Sequence, residues 1–253
     1  MNKPTIKVGD TKINNQGVPM TVIEYVNSNN MTIKFEDGLI RKCTDCNYKR
    51  GQVLNYNIPT IYNKGYLGAK ESTDVIKSKV YNVWKNMLRR CYGNEYKFRT
   101  YKDVEVCEEW YNFQNFKKWY YNNIWDCDEK MCLDKDIIKK NNKIYSPQTC
   151  IIVPNTINLS FTKNDAMRGN FPIGVNKCGE NGINTVIYNE DGTRKSVYIG
   201  KVNNENINKA FNIYKNSKEQ HIKRIADYYK SKYSNFPNKI YDALYNYQVE
   251  ITD

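Results

Sequence analysis

Over residues 5–65 the apolar positions fall in short alternating runs: Met20-Thr21-Val22-Ile23-Glu24-Tyr25, Met31-Thr32-Ile33-Lys34-Phe35 and Leu39-Ile40-Arg41. Alternation with a period of two puts successive side chains on opposite faces of a strand. The runs are separated by Asn27-Ser28-Asn29-Asn30 and by Glu36-Asp37-Gly38, the second with the Asp-Gly signature of a tight hairpin. The pattern predicts a small β-barrel over residues 1–65. Residues 66–79, polar and holding Gly68, read as a linker.

The period then changes. Val80, Val83, Trp84, Met87, Leu88 and Cys91 recur at three-and-four spacing, with Lys85, Arg89 and Arg90 opposite, which predicts an amphipathic helix over residues 80–92. Trp110, Phe113, Phe116, Trp119 and Tyr120 continue the helical spacing as an aromatic stripe, read as core. From Met131 to Asn158 the order is an apolar strand ending on Asp134, a polar turn over Lys139 to Lys143, a second apolar strand over Cys150 to Val153, and a helix opened by Pro154-Asn155. This is a ββα unit of about thirty residues, too small to bury a core unaided. It needs a metal or packing neighbours.

In the last third, Phe171–Val175, Asn184–Tyr188 and Ser196–Gly200 read as three strands, the last two joined by the turn Asn189-Glu190-Asp191-Gly192. A long helix follows over residues 205–230, with Ile207, Phe211, Tyr214, Ile222, Ile225 and Tyr229 along one stripe. The fold class expected is α+β and multidomain: barrel over 1–65, linker over 66–79, helices with the ββα unit over 80–165, and a three-stranded sheet packed on one long helix over 168–253.

Charge narrows the partners. The formal net charge is +12, distributed along the chain, and aromatic residues make up 13%. Such a field favours a polyanion, and the aromatic content favours nucleic acid over a membrane. No apolar run approaches the eighteen or so residues of a membrane span. The opening MNKPTIKVGD lacks the apolar stretch of a signal peptide, so a cytoplasmic location is expected. The eight cysteines are then expected as reduced thiols packed like small apolar groups. Cys43-Thr44-Asp45-Cys46 is one CxxC, and Cys127 and Cys132 are the only other close spacing. That is a poor match to a zinc site.

Within the ββα unit, Asp134 and Asp136 lie two apart, which would share one face of a strand. Such a pair suits Mg²⁺, an oxygen-seeking ion that keeps several waters. It equally suits an acidic patch balanced by Lys135, Lys139 and Lys140. His221, the one histidine, sits on the long helix beside Ile222 and is read as structural.

Leu133-Asp134-Lys135-Asp136, then Tyr145-Ser146-Pro147-Gln148-Thr149-Cys150, then Asn158 resemble the ββα-metal core of the phage-type HNH homing endonucleases. WKNMLRRCY and VEVCEEW resemble the segment ahead of that core. The likeness implies that Asp134 and Asn158, with Asp136 as an added ligand, hold Mg²⁺. It puts Lys135 at the general-base position and Thr149 at the position that orients the base. A lysine is protonated at neutral pH and is a poor general base. The front strands resemble the Src-homology-type barrel. Gly174-Val175, Tyr198-Ile199-Gly200 and Ile207 through Ala210 to Tyr214 resemble the APETALA2-type DNA-binding domain, in which a sheet enters the major groove.

The resemblance implies a DNA interface at Lys177, Asn184, Tyr188, Arg194 and Lys195, with phosphate contacts at Arg89 and Arg90. The expected function is that of a phage-encoded protein binding double-stranded DNA in the cytoplasm of a bacterial host cell, of HNH-endonuclease descent, with weak metal-dependent nicking. The alternative is a catalytically inactive interaction protein that binds DNA or a host nucleoprotein, such as a regulator or an anti-CRISPR-like counter-defence factor.

Overall fold

A computed structural model describes residues 6–94, 101–162 and 169–253. It is α+β, as the sequence pattern predicts, and its chain divides into two compact units, Met1–Trp119 and Tyr120–Asp253.

The first unit opens with β1 (Thr11–Ile13), β2 (Pro19–Asn27), β3 (Asn30–Phe35) and β4 (Ile40–Cys43), an antiparallel meander with β1 and β4 at its edges. Met20 pairs with Phe35 and Val22 with Ile33, so the alternating apolar residues share one buried face. A short helix α1 (Asp45–Lys49) follows. Residues 51–57 are strapped to the turn after β1 by side chains. Buried Asn14 donates Nδ2 to the Val53 carbonyl at 2.9 Å, and Gln16 exchanges hydrogen bonds with the Asn55 backbone. Amide side chains suit this task because each carries a donor and an acceptor.

Residues 66–79 differ from the expected tether. They hold a short helix α2 (Thr73–Lys77) and are bonded into the first unit. Gly68 donates to the Tyr56 carbonyl at 2.9 Å, Gln114 Nε2 to the Leu67 carbonyl at 2.7 Å, and Lys117 pairs with Glu71. The chain reaches them by crossing α3 (Lys79–Tyr92) at Gly65, where a Cβ would stand 2.4 Å from Leu88 Cδ1. Behind α3 come β5 (Glu105–Val106), a 3-10 turn (Glu108–Tyr111) and α4 (Phe113–Asn123). The aromatic stripe is core, with Trp84, Trp110, Phe113 and Phe116 fully buried and Trp84 Nε1 donating to the Trp110 carbonyl at 2.7 Å.

In the second unit β6 (Met131–Asp134) pairs antiparallel with β8 (Ile151–Pro154), and α5 (Asn155–Ser160) follows directly. The loop between the two strands holds β7 (Ile144–Tyr145). The strand, loop, strand and helix of the ββα reading are all present. Next comes a three-stranded antiparallel sheet, order β11-β10-β9, of β9 (Val175–Cys178), β10 (Gly182–Tyr188) and β11 (Arg194–Lys201). Two of its strands fall where the sequence pattern puts them. The first lies further along, because Gly174 takes φ +78° and turns the chain before Val175. The boundary expected between residues 165 and 168 lies outside the described residues.

A 29-residue helix, α6 (Asn204–Lys232), organises this unit. Its first half lays Ala210, Phe211 and Tyr214 on Val175 and Ile183 of the sheet. Its second half lays Ile222, Ala226 and Tyr229 on Ile151, Val153 and Ile157 of the ββα element, joined by Trp125 and by Ile240 and Leu244 of α7 (Asn238–Tyr245). The neighbours that the ββα unit lacked are therefore supplied by a helix from the rear of the chain.

Candidate functional site

Asp134 ends β6 and turns the chain. Its Oδ1 accepts from the backbone N–H groups of Asp136 at 2.8 Å and Ile137 at 2.7 Å. Burial pushes its carboxyl pKa above the ordinary value, outweighing those two amides. Oδ2 has no protein donor among the described residues. Asn158 lies half-buried in α5, its carboxamide likewise without a hydrogen-bond partner among the described residues. Asp134 Oδ2 and the Asn158 carboxamide are the groups of this pair that no hydrogen bond engages among the described residues.

The other three sequence-predicted positions of the ββα unit are engaged in structure. Lys135 is buried, and its ammonium donates to both carboxylate oxygens of Asp136 at 2.8 Å and to the Asn142 carbonyl at 2.6 Å. Three acceptors match its three N–H bonds. Asn142 returns the contact, donating Nδ2 to the carbonyls of Lys135 at 3.0 Å and Ile144 at 2.6 Å. Lys135 and Asp136 thus lock the loop. Thr149 donates Oγ1 to the Ile144 carbonyl at 2.9 Å and meets Ser146 Oγ at 2.9 Å, closing the same loop. At the start of α5, Glu129 accepts from the Thr156 backbone, the Thr156 hydroxyl and Tyr229. Burial raises its carboxyl pKa, but these hydroxyls prevail and hold it below the usual value.

Arg89 and Arg90 occupy the last turn of α3, in the first unit, each half-buried, with the Arg90 guanidinium 5.9 Å from the Tyr101 ring centroid. On the three-stranded sheet Lys177, Arg194 and Lys195 are exposed, and none has an ion-pair partner among the described residues. Asn184 donates Nδ2 to Ser196 Oγ at 2.8 Å, while its Oδ1 is buried without a partner among the described residues.

Tyr188 is placed differently from the other four. It turns onto α6, where its ring stacks on His221, its hydroxyl accepts from Lys218 Nζ at 3.0 Å, and its backbone N–H donates to Ser217. The family resemblance implies that it faces DNA. His221, read as structural, is packed there. Burial, with Lys218 and Arg224 nearby, lowers its pKa to about 4, so it is neutral at pH 7. Tyr198, part of the Tyr198-Ile199-Gly200 motif, is a surface residue that is not among the expected DNA contacts. It is 62% exposed on β11 and lies across Gly182, where a Cβ would stand 2.9 Å from its ring.

No family model, curated protein or solved structure matches this chain. Any functional reading therefore stands on the residues and their geometry.

Among the described residues no group of three or more His, Cys, Asp or Glu side chains gathers around a common point, no disulfide joins the eight cysteines, and no helix is long and apolar enough to cross a membrane.

Proposed function

We propose that the chain binds double-stranded DNA through the sheet of β9, β10 and β11, with the ββα element serving as the scaffold that α6 ties to that sheet. The observation that carries this is the exposure of Lys177, Arg194, Lys195 and Tyr198 on β9 and β11, with Arg194 and Tyr198 on one side of β11 and Lys195 on the other, in a chain of net charge +12. A two-stranded ribbon fits the width of a major groove. Lysine and arginine take phosphates, while the exposed Tyr198 ring beside Gly182 offers an apolar contact to base edges or sugars. Asn184, already bonded to Ser196, would present a polar edge beside them.

The test is duplex affinity against salt. Binding that neutralises several phosphates loses affinity steeply as salt rises, and Lys177→Ala, Arg194→Ala and Lys195→Ala should each shallow the slope by about one. A flat salt response would assign the face to a protein partner, such as a host nucleoprotein, instead. Truncation at the start of the rear module is a poor test, because α6 also holds the ββα core.

Metal-dependent nicking is the second reading, supported by the available oxygens of Asp134 and Asn158. Two oxygen donors with water completing the shell suit Mg²⁺, which would polarise a scissile phosphate. Lys135, buried and bonded three times, does not serve as the base, so attack would rely on water activated by the ion. Plasmid nicking in Mg²⁺ and Mn²⁺ by the wild type and by Asp134→Ala decides it: equal, negligible cleavage removes the hydrolytic reading.

A further inference from the structure

Inside the second unit a cleft of about 380 Å³ opens between the end of α5, the sheet, α6 and the segment after α7. Its size falls in the range that encloses small organic ligands, about 300–1,000 Å³. Phe161, Tyr214 and Tyr247 line it, together with the stacked rings of Tyr188 and His221. Its charge is unusual. Lys218 reaches it from the middle of α6 and is only 8% exposed. Its ammonium donates to the Ser160 carbonyl at 2.6 Å and to the Tyr188 hydroxyl at 3.0 Å. Both acceptors are neutral, and no carboxylate among the described residues lies within ion-pair distance of it.

A buried ammonium without a counter-ion is costly. Arg194 also lines the cleft, exposed and without an ion-pair partner among the described residues. One carboxylate, Asp253, borders the space, but Lys140 holds it at 2.7 Å and the Glu250 backbone N–H at 2.9 Å. The cleft therefore has an aromatic wall, two cations and one carboxylate already neutralised.

We propose that this cleft binds a nucleoside phosphate, with the base against Phe161, Tyr214 and Tyr247 and the phosphate on Lys218 and Arg194. The chemistry selects the class. An anion supplies the charge that Lys218 lacks, lysine being a ready point-charge partner for phosphate. A planar ring uses the wall, since stacking on aromatic side chains gains affinity for every base. A fully paired duplex offers no such base to a cleft, so the ligand is a free nucleotide or an unpaired residue of a strand. The proposal goes beyond the duplex-binding reading, and the free-nucleotide case holds whether or not the sheet binds DNA.

The test uses the full chain and its single histidine, whose imidazole lines the cleft and gives one reporter resonance. Titration with dAMP, deoxyadenosine and inorganic phosphate should show dAMP binding at least tenfold tighter than either fragment and moving the His221 signal. Lys218→Met should weaken dAMP at least tenfold. Arg194→Gln, at an exposed site that leaves packing intact, should weaken it several-fold. A duplex with one bulged adenosine that moves the His221 signal, where the fully paired duplex does not, identifies the source as a strand. Movement with dAMP alone identifies a free nucleotide. The proposal is overturned if dAMP binds no better than phosphate, if Arg194→Gln leaves dAMP affinity unchanged, or if neither dAMP nor the bulged duplex moves the signal.

Discussion

Tyr188 lies against His221 with ring centroids 4.3 Å apart and planes 14° from parallel. The stack joins β10 to α6, and it holds the imidazole between two cationic side chains. Burial first, then Lys218 and Arg224, hold the His221 pKa at about 4 against an ordinary 6.5. Above pH 6.5 the folded and unfolded chains both carry a neutral ring, and the group gives stability no pH dependence. Below 6.5 the unfolded chain takes up a proton that the folded chain refuses until about pH 4, so stability falls across that window. The melting temperature should drop between pH 6.5 and 4, and His221→Phe should flatten this part of the profile. An unchanged profile in that variant would move the acid sensitivity to another group.

Asp134 carries the opposite sign. Its folded pKa is raised by burial, so its charge is a cost at neutral pH that vanishes as the pH falls through the carboxylate range. Asp134→Asn keeps an oxygen for the amides of Asp136 and Ile137 and removes the charge. Without metal at pH 7 the variant should melt higher than wild type, and the two should converge in acid. Millimolar Mg²⁺ should raise the wild-type melting temperature and leave the variant's unmoved. A variant that melts lower at pH 7 would show that the turn needs the charge itself.

Asn142 and Lys135 hold each other's backbone carbonyls. Asn142→Ala leaves the Lys135 carbonyl without its side-chain donor, while the Ile144 carbonyl keeps the Thr149 hydroxyl, and the loss of one buried donor costs about 1–3 kcal/mol. Chemical denaturation should register a fall of roughly 1–3 kcal/mol. A change under about 0.5 kcal/mol, the scale of an ordinary surface substitution, would mean that water replaces the side chain there.

Gly174 and Gly179 both adopt left-handed backbone, at φ +78° and +64°. A Cβ at Gly174 would stand 2.0 Å from Tyr214 Cγ, whereas one at Gly179 meets nothing within 4 Å. Gly179→Ala should cost about 1 kcal/mol, the conformational penalty alone. Gly174→Ala adds the collision with the ring and should cost about 3 kcal/mol or more. Equal losses in the two variants would mean that Tyr214 moves aside without penalty.

Local signals in the sequence carried far. The Asp191-Gly192 turn closes as its residues require, with Gly192 donating to the Asn189 carbonyl. The α3 and α6 stripes bury most of the apolar positions that their spacing marks, with Val83, Cys91, Ile207 and Ile225 half-buried. Partnership was harder to see. The α6 stripe has the same period throughout, and nothing in it shows that Phe211 meets the sheet while Ile222 meets the ββα element. Residues 66–79 look polar because their order comes from Gln114, Lys117 and Tyr56, which are distant in sequence. Tyr188 alternates like an outward residue, and only the folded helix brings Ser217, Lys218 and His221 to it. Lys218 itself left a trace. It falls four residues after Tyr214 and four before Ile222, a cation at a core position of an apolar stripe.

The shared helix also fixes how the second unit comes apart. Two hydrophobic clusters seated on one continuous rod cannot loosen independently, since freeing either end strips that stretch of α6 of its packing, and an isolated helix gains little from its own hydrogen bonds. Amide protons of β6 and β10, though far apart in sequence, should therefore exchange with solvent through a single common opening.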